Sequence, residues 1–263
     1  MTSEDAAGPG RARPAALGLV GLALAGGLLE VLPRLPGAPA GIPPVSEWLV
    51  ALAGLLATGE VWAALGRTVV SWALALVLAV VAGTAAGMLI GSSRLLKAAT
   101  ASTVEFLRPI PSVALIPLAA LLYGPGIRSA LLLAVYAAFW QVLVQVIAGV
   151  ADLDPVAEDT ARSYRLGRLG RLRHVVWPTT LPYLVTGVRL AATVALILTI
   201  TAELFLAVPG IGREILDQQQ GGNVPEVYAL VLLTGLLGVL VNAGTRALER
   251  RVLSWHPSVR VGA

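Results

Sequence analysis

Cysteine is absent from the 263 residues, which excludes disulfides, thiol catalysis and cysteine-ligated metals. Histidine is nearly absent, and His174 and His256 stand too far apart in the chain to suggest a metal cluster. Lysine occurs once. Lys97 follows Leu95 and Leu96, so a G-x-x-x-x-G-K-[ST] phosphate loop has nowhere to end. This polypeptide does not bind ATP by that route. Charge is scarce too, at 13% of residues, against about a quarter in soluble domains.

What is present is apolar. Hydrophobic residues make up 57% of the chain, the mean hydropathy is +0.81, and leucine, alanine, valine and glycine fall in long runs. This is the composition of an integral membrane protein. The net charge of +4 and pI near 10.0 do not indicate nucleic acid, because basic residues in a membrane chain mark its cytoplasmic loops.

Six stretches reach or approach the about 20 apolar residues that a spanning helix needs. The first, 15–32, follows a basic segment as a signal peptide would, but it is span-length and no A-x-A-like site follows, so it is expected to stay uncleaved. Residues 46–65, with Glu47 and Glu60, read as an interfacial amphipathic stretch. The further spans are expected at 68–91, 98–122, 127–150, 184–208 and 227–248. The third holds Pro109, Pro111 and Pro117, which remove backbone donors, so a broken helix is expected there.

Basic residues settle the expected orientation. Arg11 and Arg13, Arg94 and Lys97, the arginines between spans four and five, and Arg246, Arg250 and Arg251 fall on one side of six alternating spans. That side is the cytoplasm, and both termini lie there. Residues 1–14 and 251–263 are then cytoplasmic tails around a membrane domain of residues 15–250. In span two, Gly83, Gly87 and Gly91 recur every four residues, a spacing that lets helix backbones approach closely, within the chain or across a dimer.

One block breaks the apolar pattern: "EDTARSYRLGRLGRLRHVVWPTTLP", Glu158 to Pro182, between spans four and five. It opens with helix-start chemistry: Asp152 or Asp154 as cap, Pro155 in the first turn, then Glu158 and Asp159. Gly167 and Gly170 are expected breaks. A short exposed helix and turn, tethered at both ends to membrane helices, moves with them when a partner grips it.

The block resembles the cytoplasmic EAA loop of ABC importer permeases, E-A-A-x3-G-x9-I-x-L-P. Asp159, Thr160 and Ala161 stand at E-A-A, Arg162 and Ser163 continue its frequent "RS", and Val176, Pro178, Leu181 and Pro182 supply the distal apolar and L-P positions. Arg165 fills the glycine position with Gly167 two residues on, so a displaced turn is expected. The chain is most similar to permeases of the nitrate/sulfonate/taurine/bicarbonate type, whose other pieces appear in order as "LLEVLP", "FLRPIPSVALIPL", "AELF" and "LERRVLSW".

The resemblance implies an all-α type I importer permease of six spans, with a short cytoplasmic coupling helix in loop 152–182. It sits in a bacterial inner membrane as a homodimer, with two ATPase subunits and an extracytoplasmic solute-binding protein that delivers a small anion. No cofactor is implied. The ATPase would grip residues 159–172, where Leu166, Arg168, Leu169 and Leu172 complete the motif-matched surface.

Intramembrane polar groups are costly and tend to be functional. Glu105 and Arg108 are placed to pair beside the kink of span three, as a hinge or on the solute path. Gln141 and Gln145 line a pathway or bond across helices. Arg189 either snorkels to the cytoplasmic interface or faces a cavity and attracts an anion. Glu203 of "AELF" lies near the outer end, where a gate or a binding-protein contact is expected. The outer segment "VPGIGREILDQQQGGNVPEVYA" reads as a solvated loop or a docking surface. Against a self-sufficient secondary transporter or channel using these charges stands the lack of a detectable second half, and a membrane enzyme lacks any nucleophile–base or metal cluster.

Overall fold

The structure, a computed structural model, describes residues 12–37 and 41–254. Arg11, Trp255 and most of both expected tails lie outside the described residues. Every described element is a helix. The elements are α1 (Ala12–Val31), α2 (Val45–Leu56), α3 (Gly59–Gly91), α4 (Arg94–Leu107), α5 (Ile116–Tyr123) and α6 (Ile127–Ala151). They continue as α7 (Pro155–Ser163), α8 (Arg168–Arg171), α9 (Trp177–Phe205), α10 (Ile211–Gln220) and α11 (Val224–Val252).

Among the described residues, four helices are long and apolar enough to cross a membrane: α3, α6, the rod from Arg168 to Phe205, and α11. The segments Arg94–Leu107 and Ser112–Tyr123 make a fifth only if counted as one span bent by 82°. A count of six needs both that bent pair and α1, which covers the first expected span. The second expected span begins earlier than its apolar run suggests. Residues 59–67 belong to α3 rather than to an interfacial stretch, and only Val45–Leu56 forms a separate short helix.

The centre of the bundle is α6, clasped by α3 and α9. Small residues at the contacts permit this. A Cβ at Gly83, Gly87 or Gly91 would lie 2.8, 2.7 or 2.8 Å from the Cβ of Val142, Val146 or Val150. On the other flank, a Cβ at Gly149 would lie 2.9 Å from the Tyr183 Cβ and 3.0 Å from its ring, and one at Gly187 would sit 3.2 Å from the Val142 Cα. Without a hydrophobic gradient inside lipid, this close van der Waals packing is what holds helices together. The Trp72 indole on α3 adds a 2.8 Å hydrogen bond to the Ala192 carbonyl on α9.

Proline explains the break after α4. Pro111 has no N–H to give the Leu107 carbonyl four residues back. That oxygen instead accepts from the Tyr136 hydroxyl on α6 at 2.6 Å and from the Ile110 amide at 3.2 Å. Pro117 sits in the first turn of α5, where a missing donor costs nothing. Pro109 falls within the break itself. The expected Glu105–Arg108 pair is not formed: both side chains are exposed and no ion pair joins them.

Candidate functional site

The charged block folds as one unit. Asp154 caps α7 by accepting from the Val156 amide at 2.8 Å, with Pro155 in the first turn. Glu158 then receives Arg171 of α8 at 3.2 Å and Arg162 at 3.7 Å, while Arg162 also reaches Asp159 at 3.6 Å. Exposed pairs of this kind contribute little singly. Their value is geometric, since the Arg171 contact ties α8 back onto α7.

The turn between them sits where the motif places it. Arg165 takes the left-handed conformation (φ 53°), whereas Gly167 does not (φ −65°). The Leu166 amide donates to the Ala161 carbonyl at 3.0 Å and the Arg165 amide to the Arg162 carbonyl at 2.9 Å, which together form a Schellman cap. The expected displacement of the turn to Gly167 is therefore not found, and Gly170 lies inside α8 rather than breaking it. A non-glycine residue there costs roughly 1–2 kcal/mol. Arg165→Gly is accordingly expected to stabilise the loop by about 1 kcal/mol. Slower amide exchange in α7 would register the gain; unchanged exchange would mean the cap does not limit the loop.

Both roots of the loop are fixed. The Tyr183 hydroxyl donates to Asp152 at 2.7 Å, joining the end of α6 to α9. Residues 172–176 form a widened π turn that carries α8 into α9 without interruption. The widening directly precedes Pro178, whose ring and missing N–H are incompatible with a tight turn behind it. The fifth spanning helix thus starts at Arg168, not near Leu184 as its apolar run suggests.

The unit presents a mixed surface. Val156, Tyr164 and Leu169 are 71%, 79% and 77% exposed. Asp159, Thr160, Ser163, Arg165, Gly167 and Arg168 are exposed around them, and Ala161 is buried beneath. Beside them, Ser92, Arg162, Arg168 and Arg171 line a cleft of about 500 Å³, walled by Leu166, Leu172 and Val176.

At the other end of the same rod lies Glu203, fully buried at 0% exposure. Its Oε2 accepts from the Thr68 hydroxyl of α3 at 2.9 Å and from the Gly212 amide at 3.0 Å. The Thr68 oxygen in turn accepts from the Ile211 amide at 2.9 Å. Two orphan donors of the α10 N-terminus are satisfied this way, and the carboxylate meets the positive end of the helix dipole. The "VPGIG" glycines allow the approach. A Cβ at Gly210 would lie 2.2 Å from Glu203 Cδ, and one at Gly212 would lie 2.4 Å from the Ile200 carbonyl. The outer segment is consequently not a solvated loop: α10 buries Ile211 and Ile215 against Val61, Ala64 and Leu230. Partial burial, with Asp217 and Glu60 nearby, pushes the Glu214 carboxyl above its ordinary range.

The remaining candidates do not converge. Gln141 and Gln145 are half-buried on α6 beside Gly187, and no hydrogen bond to their amides appears among the described residues. Arg189 pairs with Glu249 of α11 at 3.4 Å, so its charge is met within the chain. Sequence reasoning missed Thr68, Tyr136 and Tyr183, none of which belongs to a local motif, and gave no role to Glu249 within "LERRVLSW". The Gly-x-Gly of "VPGIG" was the one available signal for the Glu203 clasp.

Residues 79–254 match the family described as binding-protein-dependent transport system inner membrane component. The chain belongs to that family. It is 30% identical over 227 residues, 84% of this chain and 82% of the relative, to the taurine transport system permease protein of Escherichia coli (strain K12). It is 29% identical over 194 residues, 74% of this chain and 68% of the relative, to the nitrate import permease protein of Leptolyngbya laminosa. The fold is similar to a chain of the MetNI methionine ABC transporter in an inward-facing conformation, with a TM-score of 0.63, 17% identity, and 73% and 96% coverage. A chain of an amino acid ABC transporter gives 0.63, with 18% identity and 76% and 97% coverage. The architecture is that of type I ABC importer permeases. Membership in this family makes the chain a multi-pass inner-membrane permease subunit of an ABC importer.

Proposed function

We propose that this chain, as a homodimer, forms the path for a small anion delivered by an extracytoplasmic binding protein. Two separate ATPase subunits dock on the α7–α8 unit and supply the energy. Termini and loop 152–182 face the cytoplasm, α1 and the bent α4–α5 pair complete six spans, and the path runs between the two copies. The observation that carries the reading is the exposure of Val156, Tyr164 and Leu169 on the charged α7–α8 unit, at the end of the bundle where α6 passes into α9. Water-facing apolar side chains set among charges mark a surface awaiting a soluble protein.

The anion class is supported by relatives named for taurine, nitrate, aliphatic sulfonates and bicarbonate transport. Vesicles carrying the chain alone, or with its ATPase and binding protein, test the whole reading against labelled taurine, an alkanesulfonate, nitrate and bicarbonate. Uptake is expected only in the complete system with ATP. Uptake by the chain alone down an ion gradient would replace the importer with a secondary transporter.

A further inference from the structure

One helix runs without interruption from Arg168 in the charged loop to Phe205 at the opposite end, 38 residues or roughly 55 Å. Left-handed, non-glycine residues flank it, Arg165 at one end and Ala207 (φ 52°) at the other, where the chain leaves the rod and folds back. Glu203 sits on its last turn. It is the only acidic or basic side chain buried among the described residues. Its hydrogen bonds run not within its own helix but to α3 and α10, elements 135 positions before it and 9 after it.

We infer that Glu203 is a positioning residue that makes α9 and α10 move as one body. A displacement of the cytoplasmic loop is thereby delivered to the outer helix rather than lost in the Ala207–Gly210 link. This deepens the importer reading and rests on it.

Three observations support a rigid clasp over ordinary packing. First, the contact is backbone-to-carboxylate: the Gly212 amide and the Glu203 oxygen meet at 3.0 Å, and no side chain intervenes. Second, Gly210 of the link and Gly212 of α10 lie so close to Glu203 and Ile200 that a single added Cβ would force α10 away from α9. Third, Thr68 serves both partners, donating to Glu203 and accepting from Ile211, so α3 closes a three-element junction. Because Glu203 is buried, a lost partner here leaves a polar group unsatisfied where water cannot replace it. The outward face of α10 carries Arg213, paired with Asp217 at 2.9 Å, followed by Gln218 to Gln220. A junction that sets the position of this face controls what an extracytoplasmic partner meets.

Apolar packing of Ile211 and Ile215 alone would also hold α10, and the test separates the two. Amide exchange is measured on the whole complex in lipid discs, nucleotide-free and with ATP held by a hydrolysis-deficient ATPase. In the unaltered chain, exchange in α10 is expected to differ between the nucleotide states, and α7 is protected wherever the ATPase is present. Glu203→Ala is expected to abolish the nucleotide response of α10, leave α7 protection intact, and lower transport per ATP by roughly 5- to 100-fold. Glu203→Gln, which keeps an acceptor oxygen for Gly212, is expected to restore most of the response. If Glu203→Ala does not assemble, Thr68→Val carries the test, with an expected loss of about half the response. A nucleotide response in α10 that survives these substitutions overturns the inference while leaving the importer reading standing. An unprotected α7 in the unaltered complex removes both.

Discussion

Gly87→Val is expected to abolish accumulation of the folded protein. The side chain would begin 2.7 Å from Val146 Cβ and 3.1 Å from the Leu143 carbonyl, where neither neighbour can retreat. Val146 is itself buried, and the Leu143 oxygen belongs to helix backbone. Relief requires α3 and α6 to part along much of their length, which also pulls Gly83 and Gly91 off Val142 and Val150. Overpacking at one well-packed site costs about 1–3 kcal/mol, and here separation forfeits neighbouring contacts too. The measurement is the fraction of detergent-extracted chain that is monodisperse, with a thermal midpoint. Gly87→Ala together with Val146→Ala exchanges volume across the same contact and is expected to recover most of the loss. A stable Gly87→Val chain that has lost only its dimer would move these glycines to an interface between copies.

How much of this was legible beforehand depends on the range over which each residue acts. The break in span three followed from Pro109, Pro111 and Pro117, because a missing N–H is a local fact. Its 82° angle did not, since it depends on Tyr136 arriving from α6 to take the orphaned Leu107 carbonyl. The start of α3 was misplaced because Glu47 and Glu60 look like an interface in an apolar window, yet a helix needs no apolar residues to continue past the bilayer. Gly167 and Gly170 drew the turn by their identity, but a helix cap is a backbone conformation that Arg165 adopts at a cost. The Thr68 partner of Glu203 was out of reach in sequence: it lies 135 positions away, and only the fold brings it to 2.9 Å.

The pattern also orders the two ends of the rod. The Arg168 end is built of short-range chemistry, with cap, ion pairs and turn all within residues 154–171, and so it could be read as a motif. The Phe205 end is built of long-range contacts among α3, α9 and α10, and it could not.

Tyr164→Asp combined with Leu169→Asp is expected to separate the chain from its ATPase without unfolding it. Both side chains are more than three-quarters exposed, and neither takes part in the cap, the Glu158 bridges or the Tyr183–Asp152 bond. Nothing inside the chain therefore loses a partner when they change. A soluble partner that buries them loses two apolar anchors and gains two carboxylates to desolvate. Anchors of this kind cost at least about 2 kcal/mol each when removed, or roughly 30-fold in affinity apiece. Co-purification of the ATPase should drop to background, and its turnover should no longer respond to the permease, while thermal stability stays within about 0.5 kcal/mol of the parent. Asp159→Lys with Arg162→Glu is the companion experiment, because it alters charge and leaves the apolar anchors in place. Loss of the ATPase in the first pair and only weakening in the second would assign the grip to apolar contact, with the charges setting orientation. Undiminished co-purification and turnover in both pairs would move the docking surface away from α7 and α8.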